Sequence, residues 1–351
     1  MLLVALLAAV IWGIGAAMGV PRAARVNMLG LLFVIVLALQ IVLPDGHPVR
    51  EATGGSPALW LILAAGVVLV LLYRAILNRL RGQAAEIEAT RESVEPAISD
   101  GPFSDAELER YARHITLPDI GGAGQLALKD AKVLVIGAGG LGAPALLYLA
   151  AAGVGRIGIV DGDTVALSNL QRQVIHTDAR QDMPKVFSAQ AAIEALNPHV
   201  DTRPYNRALT ADIAEELFAE YDLILDGTDS YETRALVNRA AVAVGRPVLA
   251  GAISAWEGQI TLYDPASGAP CMACVFPRAP EPGLAATCAE TGVIGALPGV
   301  VGSMMALEAV KHITGAGRGL SGRMLIYDGL HAEMRSFAMK RRPDCPVCGG
   351  L

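Results

Sequence analysis

The sequence predicts an α/β protein whose core is a doubly wound, mainly parallel sheet, with a cysteine-stapled C-terminal part and apolar helices in front. Three observations predict it. Lys132 to Asp161 reads as strand, glycine turn, helix, strand. From Lys185 onward helical and extended segments keep alternating, the pattern of strands joined by crossover helices. The apolar surplus, 53% hydrophobic against 18% charged residues and a mean hydropathy of +0.44, is concentrated ahead of Arg81.

Taken in order, Leu2–Val20 is an uninterrupted apolar run, Met28–Leu43 is a shorter one carrying Gln40, and Ala58–Tyr73 continues through Ile76 and Leu77. A span needs about 20 apolar residues, so the first run is comfortable, the third adequate and the second marginal, open between a span and a re-entrant or tilted piece. No positive charge precedes the first run and Arg22 and Arg25 follow it, so these read as transmembrane helices that are retained rather than a cleaved leader. With three spans, Arg22 and Arg25 share a face with Arg74, Arg79 and Arg81. The bias of arginine toward the cytoplasm then predicts a multi-pass protein of the inner (cytoplasmic) membrane with everything after Arg81 cytoplasmic. Residues 1–81 are the membrane region and 82–103, polar and ending in Ser-Asp-Gly-Pro, a linker. A third region fills 104–351.

Ser104-Asp105-Ala106-Glu107 has the capping-box pattern and opens a helix to about His114. Lys132–Ile136 is a short apolar run suited to a buried parallel strand, and Gly137, Gly139 and Gly142 follow at G-x-G-x-x-G spacing. In a Rossmann-like sheet these allow a tight turn, close approach of backbone N–H groups to phosphate, and close helix packing. Asp161 ends the next strand, where a carboxylate can accept hydrogen bonds from ribose hydroxyls. A helix over Lys185–Leu196, a strand near Val200–Tyr205, a helix over Ala211–Glu220 and the strand Asp222–Asp226 come next. Val248–Ala250 and Gln259–Tyr263 then read as strands, Pro298–Ile313 as a helix, and Arg323–Tyr327 and Glu333–Ala338 as strands. A net charge of −6 with no basic stripe argues against nucleic acid as a partner.

All five cysteines lie in the last third. Cys271-x-x-Cys274 and Cys345-x-x-Cys348 are knuckles, each able to give two thiolates to one tetrahedral zinc. Two local disulfides or a redox pair are the alternatives. A cytoplasmic face disfavours disulfides, and one redox motif needs no second pair. Four ligands fill the metal's shell, so this zinc staples the tail to the body and does no catalysis. Cys288, in a loop rich in proline and glycine, is open between a small buried apolar residue and a reactive thiol. Ser168-Asn169-Leu170-Gln171-Arg172-Gln173, Lys185 and Asp226-Gly227-Thr228-Asp229 read singly as surface charges and turns. Read with the glycine turn they make a nucleoside triphosphate site with a magnesium ligand, because the carboxyl ends of parallel strands are where such a sheet binds ligands.

From about Ser104 to Gly349 the chain resembles the molybdopterin-synthase adenylyltransferase and thiamine-biosynthesis adenylyltransferase branch of the ubiquitin-activating-enzyme superfamily. Arg110-Tyr111-Ala112-Arg113, Gly137 to Gly142, Asp161-Gly162-Asp163, Ser168 to Arg172, Pro184-Lys185, Thr228-Asp229, Glu257-Gly258-Gln259, Thr287-Cys288 and both cysteine pairs carry the resemblance. It implies that a small ubiquitin-like sulfur-carrier protein presents its C-terminal Gly-Gly carboxylate to the α-phosphorus of ATP, giving an acyl-adenylate and pyrophosphate. It further implies that Gly140 approaches the phosphates and Asp161 holds the ribose. Asn169, Arg172 and Lys185 would neutralise the phosphate chain within a nucleotide-binding set that includes Ser168, Leu170 and Gln171, and Asp229 would bind Mg2+. Arg113 would reach into the partner's site across a two-fold homodimer, and Cys288 would form an acyl disulfide with the carrier if the chain follows the thiamine branch. Ser230 stands where many members have asparagine, so that nucleotide contact departs from the pattern. No C-terminal rhodanese-like domain is present in the sequence, so a separate sulfur donor such as a cysteine desulfurase is expected. An NAD-linked oxidoreductase on the same turn would leave Arg172, Lys185 and the cysteine pairs unexplained. A non-catalytic membrane scaffold would have no need of Arg113, Arg172, Lys185 and Asp229.

Overall fold

In a computed structural model that describes residues 2–93, 101–279 and 292–351, the chain divides into two compact units, 1–97 and 98–351. The N-terminal unit holds α1 (Leu2–Ala17), α2 (Arg22–Val42), the short α3 (Pro48–Thr53) and α4 (Pro57–Ser93). Val4, Val36 and Trp60 form its small core, with the Phe33 and Trp60 rings 5.6 Å apart. Gln40 is fully buried, and its Nε2 donates to the Arg50 carbonyl and to Thr53 Oγ1, which draws α3 against α2.

The order of span quality expected from the sequence is reversed. The helix of the first run has 16 residues, about 24 Å at 1.5 Å per residue, because Met18 and Gly19 turn the chain with Gly19 at φ +71°. The second helix has 21, because nothing between Pro21 and Met28 breaks a helix and Arg22 to Asn27 join its first turns. Among the described residues, two helical stretches, Arg22–Val42 and Trp60–Leu77, are long and apolar enough to cross a bilayer. The expected linker also starts later, since α4 runs through Gly82 to Ser93 before the undescribed residues 94–100.

In the second unit α5 (Asp105–Ile115) and α6 (Gly121–Asp130) precede an eight-stranded mixed sheet. Its strands are β1 (Lys132–Ile136), β2 (Arg156–Val160), β3 (Asp201–Tyr205), β4 (Leu223–Asp226), β5 (Val248–Ile253), β6 (Glu257–Tyr263), β7 (Arg323–Asp328) and β8 (Glu333–Ala338). The order is β3-β2-β1-β4-β5-β6-β7-β8, parallel through β5 and antiparallel beyond it. The helices α7 (Gly142–Ala152), α8 (Lys185–Leu196), α9 (Ala211–Ala219), α10 (Tyr231–Ala243), the single turn α11 (Met272–Val275) and α12 (Ala296–Thr314) complete it.

Strand β1 shows why its sequence is a continuous apolar run: Val133 and Val135 enter the core with α7, α8 and α12, while Leu134 and Ile136 enter the opposite core with α9 and α10. The capping box at Ser104 is formed, with Glu107 N donating to Ser104 Oγ and Ser104 N to Glu107 Oε2. The helices α6 and α10 have no counterpart among the segments expected from the sequence. Strand order reverses between β1 and β4, so their carboxyl ends open a crevice at the switch point.

Candidate functional site

The turn after β1 is fixed by its glycines. Gly137 sits at φ +92°, and a Cβ on Gly142 would lie 1.9 Å from the Gly137 carbonyl oxygen, so the first turn of α7 can approach the strand end only without a side chain there. His176 locks this turn from outside. It is buried, and its ring nitrogens lie 2.9 Å from the Ala138 carbonyl and 2.9 Å from Ser188 Oγ on α8. The carbonyl can only accept, so Nε2 carries the proton and Nδ1 accepts from the serine hydroxyl. Burial pushes its pKa down, outweighing the Ala138 bond, and nearby Lys185 adds to the depression, which keeps the ring neutral.

Asp161 at the end of β2 accepts from Ala138 N and Asp163 N, each at 2.8 Å. A carboxylate has about four lone-pair sites, so about two stay open toward the cavity. Lys185, the first residue of α8, is 4% exposed and ends on Asp163 at 2.7 Å. Arg172 is held by Asn169 Oδ1 at 2.9 Å and the Ser168 carbonyl at 3.3 Å. Beyond β4, Thr228 turns back onto buried Asp226 through its amide and hydroxyl. Burial pushes the Asp226 carboxyl up against the opposing pull of Arg234.

These elements enclose a cavity of about 300 Å³ at the switch point. Of the residues expected from the sequence, Gly140, Asp161, Arg172, Lys185 and Asp229 line it. Ser168 and Asn169 stand behind, holding Arg172. Leu170 adds no lining, and Gln171 packs under Gly295 at the start of α12, where a Cβ would sit 2.4 Å from its carbonyl oxygen. Ser230 is the N-cap of α10: it accepts from Thr233 N at 3.1 Å and donates to Thr233 Oγ1 at 2.8 Å, so its hydroxyl serves the helix. Arg113 is exposed on α5 and does not line the cavity of its own chain. Cys288 lies outside the described residues.

The cavity also recruits Gln173, the last residue of the Ser168–Gln173 motif, and two arginines to which the sequence assigned no role. Gln173 lines it with a buried Oε1 that has no hydrogen-bond partner among the described residues, Arg207 stands at its rim, and Arg234 reaches it from α10. Gln173 shares a loop with Arg172, which is a signal of sorts. His176 and Arg234 gave none, because the Ala138 carbonyl, the Ser188 hydroxyl and the Thr228 carbonyl that they meet are brought to them by the fold.

The four paired cysteines meet elsewhere in the unit. All are buried and free of disulfides, and their sulfurs lie within 4.8 Å of one another, with individual pairs at 3.4, 3.6 and 3.9 Å. Tetrahedral thiolates 2.3 Å from zinc are separated by about 3.8 Å, so this donor set could hold one zinc. Burial pushes the Cys345 thiol up, but the amides of Cys348 and Val347 more than offset it and leave the pKa at about 7.

A profile of the ThiF family matches residues 111–347. The chain belongs to the ThiF family. Among ThiF relatives, the sulfur carrier protein adenylyltransferase of Thermus thermophilus is 48% identical over 251 residues, covering 70% of this chain and 93% of that protein. The adenylyltransferase and sulfurtransferase MOCS3 of Bos taurus is 46% identical over 257 residues, 73% of this chain but 56% of its own length. Among solved structures, Escherichia coli MccB with ATP superposes with a TM-score of 0.60 at 21% identity, over 69% of this chain and 75% of MccB, a likeness of fold. The family match leaves out the membrane-span candidates.

Proposed function

We propose that the ThiF unit, residues 104–351, adenylylates the C-terminal glycine of a small ubiquitin-like sulfur-carrier protein ending in Gly-Gly, of the molybdopterin or thiamine type. The observation that carries this reading is the buried ammonium of Lys185 beside Arg172 and two carboxylates, Asp161 and Asp229, around one cavity at the switch point. A triphosphate needs that cationic charge and a ribose needs Asp161. An oxygen of the carrier's carboxylate attacks the α-phosphorus of ATP, the bond from that phosphorus to the bridging oxygen breaks, and pyrophosphate departs with the electron pair. Lys185 and Arg172 neutralise the charge that builds on the phosphate oxygens, and open lone pairs of Asp161 accept from the ribose hydroxyls. Exposed Asp229 would hold magnesium, which would supply further neutralisation of the phosphate charge. The cysteine cluster holds a structural zinc.

Arg113 serves the site of a second copy. In support, it is exposed and lies outside its own cavity, and beside it Leu117, Tyr148 and Leu307 leave an exposed apolar groove of about 380 Å³ running from α5 to α12. The N-terminal unit anchors the enzyme in the inner membrane, with the ThiF unit on the cytoplasmic, ATP-containing side. Outward apolar side chains such as Leu31, Val34, Ile62 and Leu69 support this. A separate protein donates sulfur.

The test is magnesium-dependent ATP–pyrophosphate exchange in the presence of the carrier. Arg172→Ala and Asp229→Ala should each lose about 3 kcal/mol of transition-state stabilisation, roughly a hundredfold in rate. Cys288→Ala should keep exchange, since forming the adenylate needs no thiol, and should lose only sulfur transfer if that thiol carries the acyl disulfide. Exchange at the normal rate in both cavity variants would remove the assignment.

A further inference from the structure

Helix α10 touches both the nucleotide cavity and the cysteine cluster. It is capped at Ser230, directly after Asp229, and Arg234 donates from Nε at 3.1 Å and from Nη2 to the Thr228 carbonyl. Asn238 lies one turn further on, four residues from Arg234 and therefore on the same face. It is 4% exposed. Its Oδ1 accepts from Met272 N at 2.8 Å, and since a backbone N–H can only donate, this bond fixes the amide and turns Nδ2 toward Cys271 Sγ at 3.8 Å. Asn238 does not line the cavity. The helix between it and Ser230 is about 12 Å of regular structure, stiff enough to carry a displacement from one end to the other.

We propose that Asn238 is a positioning residue that clasps α10 to the cysteine cluster, so that filling the cluster with metal sets the Thr228–Asp229 loop and, through it, affinity for the nucleoside triphosphate. The thiolate supplies the charge that a side-chain N–H donor satisfies, and such outer-shell partners typically govern metal affinity by 10- to 100-fold. The coupling half rests on the nucleotide reading of the cavity. It is reciprocal by linkage: if metal tightens ATP, ATP tightens metal by the same factor.

Two variants separate this from mere packing, both made in the full chain. Asn238→Asp keeps the acceptor for Met272 N but turns a carboxylate toward the thiolate. Asn238→Ser is smaller and neutral, and guards against a folding defect peculiar to the charge. Zinc transfer to a chromophoric chelator and equilibrium ATP binding without carrier are measured for each. The expected result is zinc release 10- to 100-fold easier in Asn238→Asp, with ATP bound at least about fivefold more weakly even when zinc is loaded. Removing zinc from the wild type should weaken ATP by a similar factor, and removing it from Asn238→Asp should add little. Zinc retention and ATP affinity at wild-type values in both variants would overturn the proposal, and so would weakened zinc with unchanged ATP binding, which leaves only packing. Zinc-loaded wild type that binds no ATP would instead bring down the nucleotide reading and the coupling with it, while the zinc arm still decides the clasp.

Discussion

Two lysines of the ThiF unit have opposite burial in their ion pairs, and replacing each by methionine should have opposite consequences. Lys185 is 5% exposed at its side chain and its partner Asp163 is 74% exposed, whereas Lys129 is 34% exposed and its partner Glu107 only 8%. Lys185→Met removes a buried charge and leaves its partner in water. The desolvation cost of the ammonium disappears together with the attraction, so stability should stay within about 1 kcal/mol of the wild type. Lys129→Met leaves a buried carboxylate with, among the described residues, the Ser104 amide and hydroxyl, each at 2.9 Å, and also loses the contact with the Phe103 ring at 5.0 Å. Stranding part of that charge should cost about 2 kcal/mol, or roughly 4 to 8 °C in the melting transition of a unit this size. Activity should invert the order. Pyrophosphate exchange should fall about a hundredfold in Lys185→Met, the scale of one positioned donor, and should be unchanged in Lys129→Met. Thermal melting and exchange on the same preparations decide it. Equal destabilisation by the two variants, or exchange within a factor of about three of normal in Lys185→Met, would refute the reasoning.

The neutral, buried His176 should make the protein less stable as pH falls below the ordinary histidine value of about 6.5, because the unfolded chain then takes up a proton that the folded one refuses. His176→Gln should flatten that slope in denaturant titrations at pH 5 to 7. Elemental analysis should return close to one zinc per chain, and Cys345→Ser should lower both metal content and melting temperature; a metal-free wild type would contradict this. A chain starting near Ser99 should be soluble, dimeric by light scattering and active, and aggregation of that fragment in a folded state would place an essential function in the N-terminal unit.

How much of this was legible depends on whether the information is local. The capping box at Ser104 and Glu107, the start of α8 at Lys185 and the run of β1 are dictated by neighbours in the chain, and all stand where the sequence puts them. Helix α6 was not legible because Gly121-Gly122-Ala123-Gly124 is a poor helix former. It is held by packing, with Gly124 close under Ile120 and Thr314 of α12. The end of α1 was hidden for a different reason: the first apolar run continues smoothly through Met18 to Val20, and only a backbone turn with Gly19 at positive φ stops the helix at Ala17. In the site, the groups that line the cavity are announced by charge, Asp161 and Asp229 just past strand ends and Arg172 and Lys185 in the loop and helix start that follow β2. Of the groups that hold them in place, His176 and Asn238 find partners more than 30 positions away in Ala138 and Cys271, and Arg234 turns back to the Thr228 carbonyl six residues earlier, so none follows a recognisable spacing.

The cysteine cluster joins residues 74 positions apart, and the stretch it closes contains α12, β7 and β8. Cross-linking a loop of that length removes about 4 kcal/mol of chain entropy from the unfolded state by the argument used for disulfides. The order of synthesis gives this closure a second meaning. A nascent chain has its apolar helices and its whole glycine-turn half outside the ribosome before Cys345 and Cys348 exist to complete the knot. Until then the helix that flanks the cavity lacks the second cysteine pair at its far end, so a chain that stops short of Cys345 is left with one unmatched thiol pair, Cys271 and Cys274.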